Sequence, residues 1–215
     1  MNKDRAEERR LMIQTQILSR GVKDQRVLKA LETVPRHFFV PEEFADVAYH
    51  DHPIPIGYNQ TISQPYIVAR MTELLAPEEG DIILEIGTGS GYQAAVLSAM
   101  GARVISLERI AELADDARSN LQKAGVVNVS VFVSDGSLGW DEMAPYDGII
   151  ITAATPAIPS ILIKQLAVNG RIVAPVGPQH MQVLIRLTRD TEGIRREEYE
   201  GVRFVPLIGR HGWNS

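Results

Sequence analysis

The stretch "DIILEIGTGSGYQAAVLSAM", residues 81–100, decides the fold. It begins with a short, mostly apolar run typical of a buried strand and ends with an apolar run long enough for a helix. Gly87, Gly89 and Gly91 lie at the turn between the two. Glycine allows a tight turn and lets a ligand approach the backbone closely. Such a turn indicates a nucleotide-like cofactor site at the carboxyl end of a parallel sheet.

The same alternation of strand and helix continues along the chain. It predicts strands over residues 102–108, 128–135, 146–154 and 170–177, and helices over 92–101, 111–124 and around 159–167, the last ended by Asn169-Gly170. Strands joined by helical crossovers form a parallel sheet that is covered on both faces. Beyond residue 178 no helix separates the strands, so we expect an antiparallel hairpin turning near residues 190–193 and then a final strand.

The first third of the chain reads as helical and then irregular. Residues 4–20 predict an amphipathic helix closed by Gly21, and Asp24 can cap a second helix that stops at Pro35. Residues 36–57 predict a long ordered loop. A third helix begins near Pro65, with Ser63 as its candidate N-cap.

These patterns predict an α/β fold with a Rossmann-like, doubly wound and mostly parallel sheet. The helices of the first third are an N-terminal addition, and the last strands are an antiparallel portion. At 215 residues we expect one domain. Within it, residues 1–78 supply the N-terminal helices and a substrate and cofactor loop, residues 79–177 the cofactor-binding core, and residues 178–215 the C-terminal strands.

Composition excludes some classes of function. The formal net charge of −5 disfavours a nucleic-acid partner, because binding to a phosphate backbone depends on clustered Lys and Arg. The chain has no cysteine, which excludes a thiol nucleophile and suits a reducing compartment. We see no apolar run long enough to span a membrane and no signal-peptide pattern, so we expect a cytoplasmic protein.

The spacing of glycines and acids distinguishes between cofactors. A dinucleotide fingerprint is G-x-G-x-x-G, whereas this loop is G-x-G-x-G and follows Glu85. Glu85 would repel a pyrophosphate but can organise the cationic amino-acid end of S-adenosyl-L-methionine, directly or through water. Glu108 ends the second strand, where a carboxylate can accept from both ribose hydroxyls. Asp135-Gly136 follows the third strand, where a carboxylate can accept from an adenine amino group.

Taken together, these residues resemble the motifs of class I methyltransferases, which convert S-adenosyl-L-methionine to S-adenosyl-L-homocysteine. Glu108 and Asp135, each taken alone, could instead be helix-capping or solvated carboxylates. Two alternatives from other classes stay open, a nicotinamide oxidoreductase and a methyltransferase-like binding module without catalysis.

Motifs of other methyltransferase classes that this sequence lacks restrict the possible methyl acceptors. After the fourth strand the chain reads "ITAATP", residues 151–156, and not the Asp/Asn-Pro-Pro-aromatic motif of adenine methyltransferases. We find no cysteine for attack on cytosine and no set of oxygen ligands for a metal, so we predict no metal site. A carboxylate acceptor needs none of these, because it is already ionised at neutral pH and requires only desolvation and alignment.

Nearly the full length of the chain resembles the protein-L-isoaspartate (D-aspartate) O-methyltransferase family. The matching stretches are "RHFFVP", "AYHDHPIPIGYNQTISQPYIVARMTELL", "LEIGTGSGYQAAVLS", "SDGSLGW", "YDGIIITAA", "GRIVAPVG" and "VRFVPL". The resemblance implies methylation of the α-carboxyl of L-isoaspartyl residues, and of the β-carboxyl of D-aspartyl residues, in damaged proteins and peptides. The ester then closes to a succinimide, which starts repair. Another carboxylate or a small molecule stays open as the acceptor.

The resemblance also assigns roles to residues. Ser63 corresponds to the family's active-site serine, and we expect Thr61 and Thr152 to line the acceptor site. The predicted cofactor-binding residues are Ile56, Gly57, Tyr58, Asn59, Glu85, Gly87, Gly89, Gly91, Glu108, Asp135 and Gly136. The tail "IGRHGWNS", residues 208–215, departs from the Thr and Gln that the family would place there, so it lies outside the predicted site. We expect a monomer.

Overall fold

The structure is a computed structural model that describes residues 5–214. Its centre is a seven-stranded sheet of β3 (Ile82–Ile86), β4 (Arg103–Glu108), β5 (Val129–Val133), β6 (Tyr146–Ile151), β7 (Leu166–Val176), β8 (Gln182–Arg189) and β9 (Ile194–Val202). The strands lie in the order β5-β4-β3-β6-β7-β8-β9. The first five are mutually parallel, whereas β8 and β9 pair antiparallel. The predicted fold class is confirmed.

Successive side chains along each strand point to opposite faces of the sheet, so the hydrophobic core lies on both faces. Ile83, Val104 and Ile150 point to one face, where they pack with α3 (Pro65–Leu75) and α4 (Tyr92–Ala99). Leu84 and Ile149 point to the opposite face, which α6 (Ser160–Lys164) helps to cover. The remaining crossover helix is α5 (Ala111–Lys123). Because both faces are buried, the central strands are mostly apolar, and Glu85 and Ser106 are buried polar exceptions.

The N-terminal segment packs as helices beside this sheet. Helix α1 (Ala6–Met12) continues as a π-helical turn (Ile13–Ile17) and a 3₁₀ turn (Leu18–Arg20), and it ends at Gly21 with φ of +94°. Helix α2 (Gln25–Thr33) is capped by Asp24, whose carboxylate accepts from the Arg26 amide. Both predicted helices are confirmed, although residue 4 lies outside the described residues. None of the helices within residues 5–214 is long and apolar enough to cross a membrane.

Some local predictions were wrong. Residues 36–57 include two 3₁₀ helices, Arg36–Phe39 and Glu42–Val47, and strand β1 (Ile54–Pro55), which pairs with β2 (Thr61–Ile62). Helix α6 ends at Lys164 and not at the predicted Asn169-Gly170 pair, because strand β7 begins at Leu166 and includes both of these residues.

Two further predictions failed near the ligand-binding edge of the sheet. Ser63 is not an N-cap, since α3 begins after Gln64, whose side chain makes no capping bond. The final strand predicted after the hairpin does not form, since Val202 ends β9 and residues 203–207 make only an isolated bridge between Ala154 and Pro206.

Candidate active site

The glycine loop joins β3 to α4 with its backbone in the left-handed region. Gly87, Gly89 and Gly91 have φ values of +95°, +53° and +89°. At Gly87 a side chain is excluded by space as well, because a Cβ there would lie 2.5 Å from the Thr152 hydroxyl oxygen. The loop is therefore a close-fitting wall that only glycine can form at this position.

A cavity of about 990 Å³ opens beside this loop, at the carboxyl ends of β3, β4 and β6. Its wall brings together seven of the predicted site residues: Thr61, Ser63, Gly87, Gly89, Glu108, Gly136 and Thr152.

Glu108 lies at the end of β4 and faces the cavity. One carboxylate oxygen, Oε2, accepts from the Gly89 amide at 3.0 Å, and Oε1 accepts from the Arg109 and Ile110 amides at 2.8 and 3.0 Å. These bonds hold the carboxylate against the glycine loop. A carboxylate has about four acceptor sites, so acceptor capacity remains for ligand hydroxyls.

Glu85 lies behind the loop and not on the cavity wall. Its side chain is fully buried, its Oε2 accepts from the Ser106 hydroxyl, and its Oε1 has no hydrogen-bond partner among residues 5–214. Burial raises the pKa of Glu85 to about 8, against the Ser106 hydrogen bond, and the Glu108 charge adds to the rise. The carboxyl group is therefore protonated at neutral pH, and its contact with a cofactor stays a prediction.

Asp135 is engaged by the C-terminal tail. The Arg210 amide donates to Asp135 Oδ2 at 2.8 Å, and the Ser137 amide and hydroxyl donate to Oδ1 at 3.0 and 2.7 Å. Partial burial opposes ionisation of Asp135, but these donated bonds outweigh it and lower the pKa of the carboxyl group. A Cβ on Gly209 would collide with Asp135 Oδ1, so the tail can pack here because residue 209 is glycine. The predicted adenine contact of Asp135 stays a prediction.

A second cavity, of about 1,010 Å³, adjoins the first. Thr61, Ser63, Thr152 and Val205 line both cavities. The Ser63 hydroxyl makes no hydrogen bond within the described chain, whereas the Thr152 hydroxyl donates to the Ile86 carbonyl oxygen at 3.0 Å. Ser63 therefore lies at the junction with its hydroxyl available to a ligand.

Arg36 supports the Ser63 segment from within the protein. Its side chain is fully buried, and it donates from Nε to the Ala48 carbonyl and from Nη2 to the Ser63 carbonyl, both at 2.8 Å. The guanidinium carbon lies 4.8 Å from the centre of the Tyr92 ring. Burial lowers the pKa of Arg36 to about 10, so the group remains charged at neutral pH.

The predicted cofactor residues 56–59 form the turn between β1 and β2. Gly57, Tyr58 and Asn59 have positive φ values, and none of the four residues lies on the cavity wall. Ile56 approaches the loop, since its Cδ1 would lie 3.5 Å from a Cβ on Gly89. Their roles, and that of Gly91 at the start of α4, stay predictions.

Sequence reasoning missed several wall residues. They are Gln60, Thr88, Ser90, Arg109, Ile110, Leu207 and Ile208. Thr88 and Ser90 lie between the glycines, and Arg109 and Ile110 follow Glu108, so proximity to the motifs could have identified them. Leu207 and Ile208 reach the cavity only because the tail folds back. Within residues 5–214, no group of three or more His, Asp or Glu could hold a metal ion.

Comparison with known proteins identifies the family. The model of the protein-L-isoaspartate(D-aspartate) O-methyltransferase family matches residues 7–212. The chain belongs to this family. A protein-L-isoaspartate O-methyltransferase of Methanospirillum hungatei is 59% identical over 98% of both chains, and one of Geobacter metallireducens is 53% identical over 100% of this chain and 99% of the relative.

Solved structures of the family have the same fold. One protein-L-isoaspartate O-methyltransferase superposes with a TM-score of 0.84 at 26% identity, over 97% of this chain and 67% of the other. A Plasmodium falciparum structure, described as a β-aspartate methyltransferase in complex with S-adenosyl-L-homocysteine, superposes with a TM-score of 0.80 at 24% identity, over 96% of this chain and 99% of the other. The family resemblance and the prediction of a methyltransferase are confirmed.

Proposed function

We propose that this chain transfers a methyl group from S-adenosyl-L-methionine to the α-carboxyl of L-isoaspartyl residues, and to the β-carboxyl of D-aspartyl residues, in damaged proteins. The ester then closes to a succinimide and starts repair. The observation that carries the proposal is the meeting of two cavities at Ser63 and Thr152. Membership of the family and relatives of the same name at 59% and 53% identity support it.

The groups that line the first cavity fit S-adenosyl-L-methionine. Glu108 offers a carboxylate for the ribose hydroxyls, and the glycine loop brings backbone close to the ligand. Behind the loop, Glu85 Oε1 is a buried polar atom that has no hydrogen-bond partner among residues 5–214, so a group of a ligand or a water molecule can pair with it. When bound, the cofactor supplies an electrophilic methyl group.

The chain's own residues then need only to orient the acceptor. An ionised carboxylate is already a nucleophile, so no general base is required. The Ser63 hydroxyl donates to one carboxylate oxygen and leaves the other free to attack. Thr61 and Thr152 line the same junction and help to exclude water from the acceptor. Alignment of the attacking oxygen within about 3 to 3.5 Å of the methyl group lowers the entropic part of the barrier.

Matched peptides test the activity. Radiolabelled methyl transfer to an isoaspartyl peptide should exceed transfer to the same peptide with normal aspartate by at least an order of magnitude, and the label should be a base-labile ester. Calorimetry should give heat with S-adenosyl-L-homocysteine and none with NADH. Equal labelling of the two peptides would contradict the isoaspartyl assignment, and binding of NADH would favour an oxidoreductase.

The role of Ser63 has its own test. Ser63→Ala should lower kcat on the isoaspartyl peptide at least about tenfold, as loss of an orienting hydrogen bond does, with affinity for S-adenosyl-L-homocysteine nearly unchanged. Ser119→Ala is the matched control, because Ser119 is exposed on α5 and lines neither cavity of the site. Full turnover in Ser63→Ala would exclude the role.

The setting of the reaction is part of the proposal. We place the protein in the cytoplasm as a monomer that acts on one damaged chain at a time, without a nucleic-acid or membrane partner. The cysteine-free sequence fits a reducing compartment, and the net charge of −5 fits the lack of a nucleic-acid partner. Sedimentation analysis tests the monomer, and a dimer at working concentration would refute it.

A further inference from the structure

The second cavity carries three charged side chains on its wall: Arg20, Glu200 and Arg203. It adjoins the cofactor cavity through Ser63 and Thr152, so a peptide whose isoaspartyl carboxyl reaches Ser63 places its neighbouring residues here. The net charge of these three side chains therefore acts electrostatically on the substrate residues that flank the isoaspartate.

Two of the three charges are already paired within the protein. Arg20 forms an ion pair with Asp51 at 3.1 Å, and its guanidinium carbon lies 3.6 Å from the centre of the Tyr66 ring. Glu200 accepts from Arg70 Nε at 3.1 Å and from the Tyr66 hydroxyl at 3.2 Å. These contacts offset the two charges and hold both side chains against the cavity wall.

Arg203 differs from the other two. It follows β9 directly, its side chain is exposed, and within residues 5–214 it has no hydrogen bond or ion pair to any carboxylate. An arginine retains its charge at any working pH and presents donors that fit a carboxylate in a bidentate manner. The wall of the cavity that Ser63 also lines thus carries one uncompensated positive charge.

We propose that Arg203 is a specificity-determining residue that makes this enzyme favour isoaspartyl sites with an acidic side chain close by in the substrate. The inference rests on the proposed function and adds to it the charge of the preferred substrate. The carboxylate of a flanking Glu or Asp pairs with the Arg203 guanidinium, while the isoaspartyl carboxyl stays at Ser63. Because Arg203 is exposed, the gain is modest and sensitive to salt.

The test uses a set of isoaspartyl peptides that differ at one flanking position. Glu, Gln or Lys is placed in turn at each of the two positions before and the two positions after isoaspartate, and kcat/KM is measured for each peptide. For the wild-type chain we expect the Glu peptide to exceed the Gln peptide about threefold or more at one or more positions, with Lys lowest. The difference should shrink between about 0.02 M and about 0.5 M NaCl, where charges are screened.

Variants of Arg203 identify the source of the preference. In Arg203→Gln the ratio of Glu to Gln peptide should fall towards one, in Arg203→Glu the order of Glu and Lys peptides should reverse, and Arg203→Lys should retain the wild-type order. Arg103→Gln is the matched control, because Arg103 is exposed at the start of β4, at the opposite end of the sheet from the site. It removes the same charge and should retain the ratio.

The outcomes separate this inference from the function on which it rests. If the wild-type chain methylates the isoaspartyl peptides without regard to flanking charge, or if Arg203→Gln leaves the ratio unchanged, the inference is wrong and the function stands. An equal loss on every peptide in Arg203→Gln also overturns it, because Arg203 would then contact the reacting carboxyl. If the wild-type chain labels none of the peptides, the proposed function fails first.

Discussion

The guanidinium of Arg36 donates a hydrogen bond of 2.8 Å to the backbone carbonyl oxygen of Ser63. This bond ties the serine at the junction of the two cavities to a cation that is fully buried. Arg36 donates to the carbonyl oxygens of Ala48 and Ser63, and it thereby holds the backbone segment that carries Ser63.

Replacing Arg36 should therefore affect stability and turnover together. Arg36→Met leaves the Ala48 and Ser63 carbonyls without their donor, and we expect the free energy of unfolding to fall by about 2 to 4 kcal/mol. In the folded fraction kcat should fall more than affinity for S-adenosyl-L-homocysteine, with partial recovery in Arg36→Lys. Urea denaturation and peptide kinetics measure both effects.

Arg26→Met is the control for Arg36→Met, because Arg26 lies on α2 with an exposed side chain. It should change the free energy of unfolding by less than about 1 kcal/mol. Normal kcat in a stably folded Arg36→Met would show that Arg36 does not position Ser63.

The glycine loop gives a second prediction. Gly87→Ala puts a Cβ 2.5 Å from the Thr152 hydroxyl oxygen, in a backbone with φ of +95°. Either the loop or the Thr152 side chain on the cavity wall must shift, so affinity for S-adenosyl-L-homocysteine should fall about tenfold or more, as a displacement in a close-fitting site does. Gly80→Ala is the matched control, since its φ is +90° but no atom lies within 4 Å of the added Cβ. Comparable loss of binding in both variants would mean that strain alone, and not the contact with Thr152, causes the effect.

Asp135 gives a third prediction, which concerns the tail. Asp135→Ala removes the acceptor of the Arg210 amide and of Ser137, each a hydrogen bond to a charged group worth about 1.5 to 3 kcal/mol. Residues 207–213 should then exchange amide hydrogens faster, and because Leu207 and Ile208 line the first cavity, affinity for S-adenosyl-L-homocysteine should fall. Ser137→Ala should give a smaller effect in the same direction. Unchanged exchange in Asp135→Ala would separate the tail from this carboxylate.

Local patterns predicted most of the sheet and its helices. The strands from β3 to β7 and helices α4 and α5 follow from apolar runs and helical periodicity, which are properties of neighbouring residues. Asn169 shows where local reading fails. Its φ of +69° is the left-handed conformation that the Asn-Gly pair signals, but this conformation lies within β7 and does not end a helix. The choice depends on pairing with β6, which sequence spacing does not reveal.

In the candidate site, too, features set by neighbouring residues were predicted, and features set by distant contacts were not. The glycine loop and Glu108 were predicted onto the cavity wall because they follow strands directly. The tail was left outside the predicted site because its residues depart from the family pattern, and sequence alone does not reveal that Gly209 packs against Asp135, a residue far from it in the chain. Similarly, the strand pattern places Glu85 at the correct end of β3 but does not tell whether its carboxyl faces the ligand or the interior.

The interior position of Glu85 leads to the last prediction, a pH dependence of stability. The pKa of Glu85 is raised to about 8 in the folded chain, mainly by burial, whereas the unfolded chain has an ordinary value near 4.5. The folded state thus holds a proton that the unfolded state has released, so the contribution of Glu85 is fully present below pH of about 4.5 and is lost as pH rises through about 8.

Glu85→Gln carries no titratable group there. The wild-type chain should therefore lose stability relative to Glu85→Gln between pH of about 5.5 and about 8.5, by about 2 kcal/mol or more at about 1.4 kcal/mol per pKa unit. Urea denaturation of both chains at the two pH values measures the difference. Parallel changes in the two chains would mean that Glu85 ionises normally, which would require water or a cation beside its Oε1.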